Sequence, residues 1–245
     1  MLSFLKPKTV LKDLIPDNYV DIHSHLLPGI DDGAKNIEES QFLISELRKI
    51  GVSKFITTPH IFSGVWDNTK ENILSNYNAT KLLFSENKTE IKLNVAAEYL
   101  LNDHLVTLLN RNEILTLKDN YVLVEMSYIN PPIQLYDIIF KIQIAGYIPI
   151  LAHPERYAFY HKSTDEYKKL KKSGCLFQLN LLSTVGYYGS EVMKTANLLL
   201  TSGMIDYVGS DVHHKQHINA FYSKLLIKDS LTLVEAINNN HSFNF

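Results

Sequence analysis

Two pairs of residues near opposite ends of the sequence have the spacing of a shared metal site. One is His23 and His25 in Asp21-Ile22-His23-Ser24-His25; the other is Asp211 and His213 in Gly209-Ser210-Asp211-Val212-His213. In an extended strand, positions two apart face the same side, so each pair can address one point. Between them, His60 follows Thr57-Thr58-Pro59, Glu98 follows Ala96-Ala97, Glu125 follows Val124 and His153 follows Ala152. Asp32 adds a carboxylate in the loop after the first pair. Five histidines and four carboxylates, with no thiolate, select Zn, Mn or Fe over a soft-metal site. Zinc takes four ligands and octahedral ions take six, so nine donors imply two or three ions sharing a bridging carboxylate. Ions about 3.5–4 Å apart are the usual apparatus for phosphate-ester hydrolysis, because they generate hydroxide and hold the oxygens of an in-line displacement. Arg156, three residues after His153, offers a planar, permanently charged fork that suits a phosphate dianion. The plainer alternative is a surface arginine paired with Glu155 or Asp165.

These residues need elements that bring them to one place. Short runs rich in Val, Ile, Tyr, Phe and Thr occur at 19–23, 54–58, 91–97, 121–126, 147–152, 176–181 and 206–209. They read as strands. Between several of them lie segments with helical spacing. In 36–50, Ile37, Leu43, Ile44, Leu47 and Ile50 share a face, Asn36 can cap, Glu39 occupies the capping-box position and Gly51 ends the run. Segments 132–145, 165–173 and 191–202 are stopped by Gly146, Gly174 and Gly203 in the same way. Alternating strands and helices of about 10–15 residues point to parallel βαβ units. Seven strands predict an α/β fold in one domain: a closed or nearly closed barrel, with a doubly wound sheet as the alternative. Barrel enzymes work at the C-terminal ends of their strands. Six of the seven predicted strands carry a His, Asp or Glu there. The sixth ends with Asn180 and Ser183.

Composition agrees. The 245 residues are 45% apolar and 20% charged, with a net charge of −2. That is ordinary for a globular protein, and no basic excess advertises nucleic acid. The single Cys175 excludes a disulfide framework and suits a reducing cytosol. It also argues against thiol phosphatase chemistry, since the residue six positions on is Leu181 rather than the required Arg. No run approaches the roughly 20 apolar residues of a membrane helix. No secretory leader is expected, because the apolar start Met1–Leu5 precedes the first lysine. Residues 1–18 read as an arm packing on the domain or on a partner, and 19–245 as the barrel.

The quoted motifs resemble those of the PHP (polymerase and histidinol phosphatase) metallohydrolases. DIHSHLLPGIDDG, TTPH, AAEY, LVEM, AHPERY and GSDVH are similar to one branch, the manganese-dependent tyrosine phosphatases of bacterial capsule and exopolysaccharide operons. The resemblance runs from about Tyr19 to at least His213. It implies a distorted seven-stranded TIM-like barrel, a (β/α)7 PHP fold. It implies one metal on His23, His25, Glu98 and Asp211, a second on Glu98, Glu125 and His153, and a third on Asp32, His60 and His213. The ions would be manganese first, with Fe, Zn, Co or Mg as alternatives. Arg156 would hold the phosphoryl group, with Asp211 and His213 beside it in the catalytic set. The substrate would be a phosphotyrosine protein, a bacterial tyrosine kinase with a tyrosine-rich tail, in the control of surface polysaccharide.

Three other functions compete. A histidinol-phosphatase-like small-molecule enzyme would share the chemistry, but that group often carries His where Glu125 stands. An amidohydrolase would use a bridging Lys where Glu98 stands. A non-catalytic, metal-stabilised module would show degraded ligands, and this set is complete. His104, His161, His214, His217 and His241 read as incidental. The basic run at Lys168–Lys172 reads as a solvated helix face. Tyr157, Tyr160, Tyr187 and Tyr188 fall in loops on the expected working rim, where they could flank an aromatic substrate or cap the barrel.

Overall fold

The computed structural model describes residues 9–86, 90–228 and 230–245. Nine short strands make seven barrel staves: β1 (Tyr19–Asp21), β2 (Val52–Thr57) with β3 (His60–Ile61), β4 (Lys92–Val95) with β5 (Glu98–Leu100), β6 (Tyr121–Glu125), β7 (Ile148–Ala152), β8 (Leu176–Asn180) and β9 (Tyr207–Gly209). All pair in parallel, as β1-β2-β4 and as β3-β5-β6-β7-β8-β9. The two sheets are joined where the second and third staves jog. Ala96 N–H donates to Thr57 O at 2.9 Å, and Glu98 N–H to Pro59 O at 3.1 Å. Pro59 cannot donate to a ladder, which marks one jog. On the other side, Ser24 bridges Val212, His25 N–H donates to Val212 O at 3.0 Å and Asp211 N–H to His23 O at 2.7 Å. The sheet therefore closes on itself. It is a distorted α/β barrel in one domain, not a doubly wound open sheet.

Among the described residues, eight α-helices line the outside: α1 (Ile37–Ile50), α2 (Lys70–Glu86), α3 (Asp103–Asn110), α4 (Leu135–Ile144), α5 (Thr164–Lys172), α6 (Ser190–Thr201), α7 (Lys215–Ala220) and α8 (Ser230–Asn239). Asn36 caps α1 by accepting from Glu39 N–H at 2.9 Å. The reciprocal bond from Glu39 reaches Lys35 N–H at 3.0 Å, one residue short of a standard capping box. Gly51 ends α1 at φ +119°, a region costly for any other residue. The helix expected at 132–145 begins only at Leu135, after the Pro131-Pro132 pair. α2 was not foreseen, and only Ile73, Thr80 and Phe84 of its 17 residues are buried, too sparse a stripe to read.

Strand alternation separates an inner core from two outer ones. Val20, Ile22, Ile56, Ala96, Leu123, Ile150 and Ala152 fill the barrel. Phe243, packed edge-on against Tyr121 and Tyr207, belongs to the same cluster. Neighbouring Val122, Val124, Leu151 and Phe177 face the helices instead. Of the N-terminal arm, residues 1–8 lie outside the described residues. The rest packs on this chain: Val10 bridges Lys224, Leu11 N–H donates to Ser223 O, and Leu11 is fully buried. Among the described residues, no helix is long and apolar enough to cross a membrane.

Candidate metal centre

The inward-facing positions of the staves end at one mouth, and there the expected donors meet. Four of their atoms lie close together. His23 Nε2 is 3.2 Å from Glu98 Oε2 and 3.4 Å from Asp211 Oδ1. His25 Nε2 is 3.5 Å from each of the same oxygens and 3.4 Å from His23 Nε2. A first-row ion binds N and O at about 2.0–2.2 Å, so tetrahedral ligands sit about 3.3–3.6 Å apart. The observed spacing fits that cage. Glu98 Oε2 is buried and has no hydrogen-bond partner among the described residues, an arrangement costly for a carboxylate oxygen unless a cation compensates it.

The remaining donors extend the cage. Glu98 Oε1 lies 3.0 Å from His153 Nε2. His60 Nδ1 lies 2.9 Å from Glu125 Oε1 and 3.2 Å from Glu98 Oε2. Asp32 Oδ1 lies 3.5 Å from His60 Nε2 and 3.4 Å from His213 Nε2, with about half of its side chain exposed. All nine sequence-predicted donors therefore converge. Among the described residues they form four overlapping groups able to hold an ion: His25-Asp32-His60-His213, His23-Glu98-His153, His23-His25-Asp211 and His60-Glu98-Glu125. His23, His25 and His60 each serve two groups, whereas the resemblance gave each to one.

Three of the histidines are aimed by acceptors behind them. His23 Nδ1–H donates to Gln178 Oε1 at 2.6 Å, His25 Nδ1–H to Asp31 Oδ2 at 2.8 Å and His213 Nδ1–H to Asp211 O at 2.9 Å. Each bond leaves an Nε2 lone pair facing the cage, the arrangement that supports metal-ligating imidazoles. Asp31 also accepts from Gly33 N–H and His60 N–H. Gly33 packs so closely that a Cβ there would sit 2.2 Å from His25 O. His153 (φ +37°) and Asp211 (φ +50°) adopt the left-handed region that non-glycine residues rarely occupy. The turn at 153 breaks strand alternation, since Ala152 already faces inward.

The field in the cage favours positive charge. Burial alone would lift the Glu98 and Asp211 carboxyls, but the surrounding histidines, with Arg156 beside Asp211, hold both well below their ordinary range. Burial likewise opposes a proton on His25, yet Asp31, Asp211 and Glu98 outweigh it and push that imidazole well up. The same contest, won by Glu98 and Glu125, raises His60 to about 9. A site that draws protons this strongly draws divalent cations for the same reason.

Arg156 stands at the edge of the cage, and its guanidinium bonds Asp211 Oδ2 at 2.8 Å rather than Glu155 or Asp165. Tyr128 and Tyr188 lie against it at 4.8 and 4.2 Å from ring centroid to guanidinium carbon. Asn180 Nδ2–H donates to Asp211 Oδ2 at 2.8 Å. The sixth stave, which carries no ligand, thus supplies Gln178 and Asn180 as supports. Glu155 is buried, accepting from Asn180 N–H and Ser183 Oγ–H. Burial lifts its carboxyl to about 7.

Sequence reasoning missed Asp31, Tyr128 and Gln178, and placed Asn180 at the rim without a role. Asp31 is the neighbour of Asp32, and strand period two from Asn180 would have found Gln178. Two expected incidental histidines have partners: His217 is buried with Nδ1 3.0 Å from Asp211 O, and the half-buried His161 donates Nε2–H to Glu155 O at 2.8 Å. Of the tyrosines left open, Tyr157 is structural. It is buried, donates to Ala152 O and accepts from Met126 N–H. Tyr160 is buried beside it, while Tyr187 is exposed at the rim.

With this geometry fixed, comparison with known proteins places the chain. Residues 19–222 match the family described as capsular polysaccharide synthesis, CpsB/CapC. The chain belongs to that family. It is 29% identical over 195 residues to CapC of Staphylococcus aureus, covering 79% of this chain and 76% of the relative. It is 29% identical over 201 residues to the tyrosine-protein phosphatase CpsB of Streptococcus pneumoniae, covering 80% and 83%. A crystal structure from the study of YwqE from Bacillus subtilis and CpsB from S. pneumoniae, described as unique metal-dependent tyrosine phosphatases, superposes with a TM-score of 0.76. It shares 25% identity over 82% of this chain and 84% of that one. A cog1816 amidohydrolase from Burkholderia ambifaria shares the fold at a TM-score of 0.53 and 9% identity, across 99% and 90% of the two chains.

Proposed function

We propose that this member of the CpsB/CapC family is a metal-dependent protein-tyrosine phosphatase. The observation that carries the reading is the cage of nine donors around Glu98, with Arg156 fixed on its rim by Asp211. The resemblance to tyrosine phosphatases such as CpsB of S. pneumoniae supports the choice of substrate. His23, His25, Glu98 and Asp211 would hold one divalent ion, Glu98, Glu125 and His153 a second, and Asp32, His60 and His213 a third, with Glu98 as the bridge. Manganese is the ion proposed. Bound ions would supply a nucleophile at neutral pH and neutralise the phosphoryl oxygens.

The chain's own residues do the rest. Arg156 binds the non-bridging oxygens of the phosphoryl group through its fork, and the rings of Tyr128 and Tyr188 lie against that fork. Asp211 stays ionised, so it orients Arg156 and does not act as a proton donor. His213 presents Nε2 to the mouth because its Nδ1 proton is committed to Asp211 O. The phenolate of a tyrosine ester is a stable enough leaving group to depart without a strong general acid. The physiological substrate proposed is the tail of a bacterial tyrosine kinase governing surface polysaccharide, and the working compartment is the cytoplasm.

Parallel assays of a phosphotyrosine peptide and histidinol phosphate, each with defined Mn²⁺, test the reading. Preferential release of phosphate from the peptide is expected. Preference for histidinol phosphate would transfer the reading to small-molecule hydrolysis, and no turnover of either would end it.

A further inference from the structure

The metal ligands and Arg156 reach only the phosphoryl oxygens of an ester, so another group must tell an aromatic ester from an alkyl one. The organic part of the ester has one way out. Below the cage the barrel is filled by side chains such as Ile22, Leu123 and Ile150, so the ester projects outward past the rim at Arg156. Two rings flank that guanidinium, Tyr128 at 4.8 Å and Tyr188 at 4.2 Å. They are not equivalent. Tyr188 is half-buried, its hydroxyl accepts from Asn180 Nδ2–H at 3.0 Å, and Tyr187 packs edge-on against it at 5.0 Å between centroids. Tyr128 is 47% exposed. Its ring stacks on the ligand His153, with centroids 5.7 Å apart and planes 25° from parallel. The loop that carries it is braced on both sides. Met126 N–H donates to the Tyr157 hydroxyl at 2.9 Å, Ile129 N–H donates to Ser127 Oγ at 3.2 Å, and Pro131-Pro132 fix two φ angles just beyond. An aromatic ring held in place at the mouth before substrate arrives loses little entropy on contact.

Resting on the phosphatase reading above, we infer that Tyr128 is a specificity-determining residue, whose open half is the wall against which the ring of an aryl phosphate packs. A charge-assisted bond of ~2.8 Å from the fork puts phosphorus about 4 Å from the guanidinium carbon, and an ester's ring centroid about 4 Å beyond it. The Tyr128 centroid is 4.8 Å from the same carbon, so the two rings can meet at the roughly 4.5–7 Å of offset or edge-on aromatic pairs. An alkyl phosphate offers the same oxygens to Arg156 and no ring to the wall. Tyr128 also lies against Arg156 and His153, so its loss touches phosphoryl binding in general. That part is common to every phosphate monoester, whereas the ring contact is made by aryl esters alone. The ring carries this role, and its hydroxyl does not.

Calorimetric titration of the full, Mn²⁺-loaded chain with benzylphosphonate and with methylphosphonate separates the two parts. Neither probe can be hydrolysed, and both present three phosphonate oxygens. The parent should bind benzylphosphonate about tenfold more tightly than methylphosphonate. Tyr128→Leu and Tyr128→Ala should each cut that preference to about twofold, whatever they do to methylphosphonate, while Tyr128→Phe keeps it. Binding of methylphosphonate shows that a variant is folded with Arg156 in place. Tyr188→Leu should weaken both probes by a similar factor and leave their ratio near that of the parent. A parent that binds the two probes alike would overturn the inference without any variant. So would a Tyr128→Leu chain that keeps the preference, or a Tyr188→Leu chain that alone loses it, since the wall would then be elsewhere. Turnover of a phosphotyrosine peptide, measured alongside, keeps this result apart from the proposed function. If the parent hydrolyses the peptide yet binds both probes alike, the wall falls and the function stands. If it prefers benzylphosphonate through Tyr128 yet hydrolyses no phosphopeptide, the wall stands and the protein substrate falls.

Discussion

Asp31 touches no substrate in this account, yet its replacement by Asn should cripple the site. One carboxylate oxygen accepts from His25 Nδ1–H at 2.8 Å and from His60 N–H at 3.2 Å; the other accepts from Gly33 N–H at 3.0 Å. An Asn amide has one oxygen, so whichever way it turns, its NH₂ faces a donor that it cannot satisfy. A buried donor left unpaired costs about 1–3 kcal/mol, and the bond to His25 loses its charge assistance as well. Part of that loss appears as freedom of the His25 ring, whose Nε2 must stay 3.4–3.5 Å from three other cage atoms. A fall of about 10–100-fold in metal affinity follows, as for other outer-layer partners of ligating histidines. Competition with a chelator of known affinity measures it, with circular dichroism as the control for folding. Turnover at saturating metal should fall less than affinity does. A folded Asp31→Asn chain that binds Mn²⁺ within twofold of the parent would refute the idea that Asp31 aims His25.

Gln178→Ala should weaken metal binding by a similar factor through His23, since it removes the 2.6 Å acceptor behind that ring; the same competition assay checks it. Arg156→Ala should lower kcat/KM for a phosphotyrosine peptide by about 10²–10³ with metal content intact, the usual cost of one transition-state donor, and elemental analysis alongside the kinetics separates the two effects. Gly209→Ala should destabilise the site, because the new methyl would lie 2.6 Å from His23 Cβ and 2.7 Å from Gln178 Nε2; thermal unfolding and metal content would both report it. Cys175 should resist thiol reagents at pH 8 until the chain is unfolded, since burial lifts its thiol to about 12 and leaves it protonated.

The barrel and the convergence of the nine donors were legible because both follow local periodicity. Strand period two placed His23 with His25, and one rim gathered donors from six staves. Closure of the sheet was less legible, since it depends on the Ser24–Val212 bridge, a contact across most of the chain's length. The staves that jog at Pro59 and Ala96-Ala97 read as single strands, because a jog leaves the inside-outside pattern intact. Asp31 and Gln178 escaped notice because their work is to aim another side chain, and that requires knowing where the side chain goes. Arg156 lies beside the donors, where the sequence expected it, but its partner was not foreseen: Asp211 is far in sequence, and only the adjacency of β7, β8 and β9 brings them together. His217 shows the reverse error, a histidine near the C-terminal pair that turns inward under the loop it follows.

The most direct measurement follows phosphate release from a phosphotyrosine peptide through chelation and reconstitution, with metal content determined at each stage. The chain as isolated should carry two or three divalent ions, lose turnover as they are removed, and regain it when Mn²⁺ is returned. Full turnover in a chain stripped of metal would contradict the assignment of the nine donors, whatever the family resemblance.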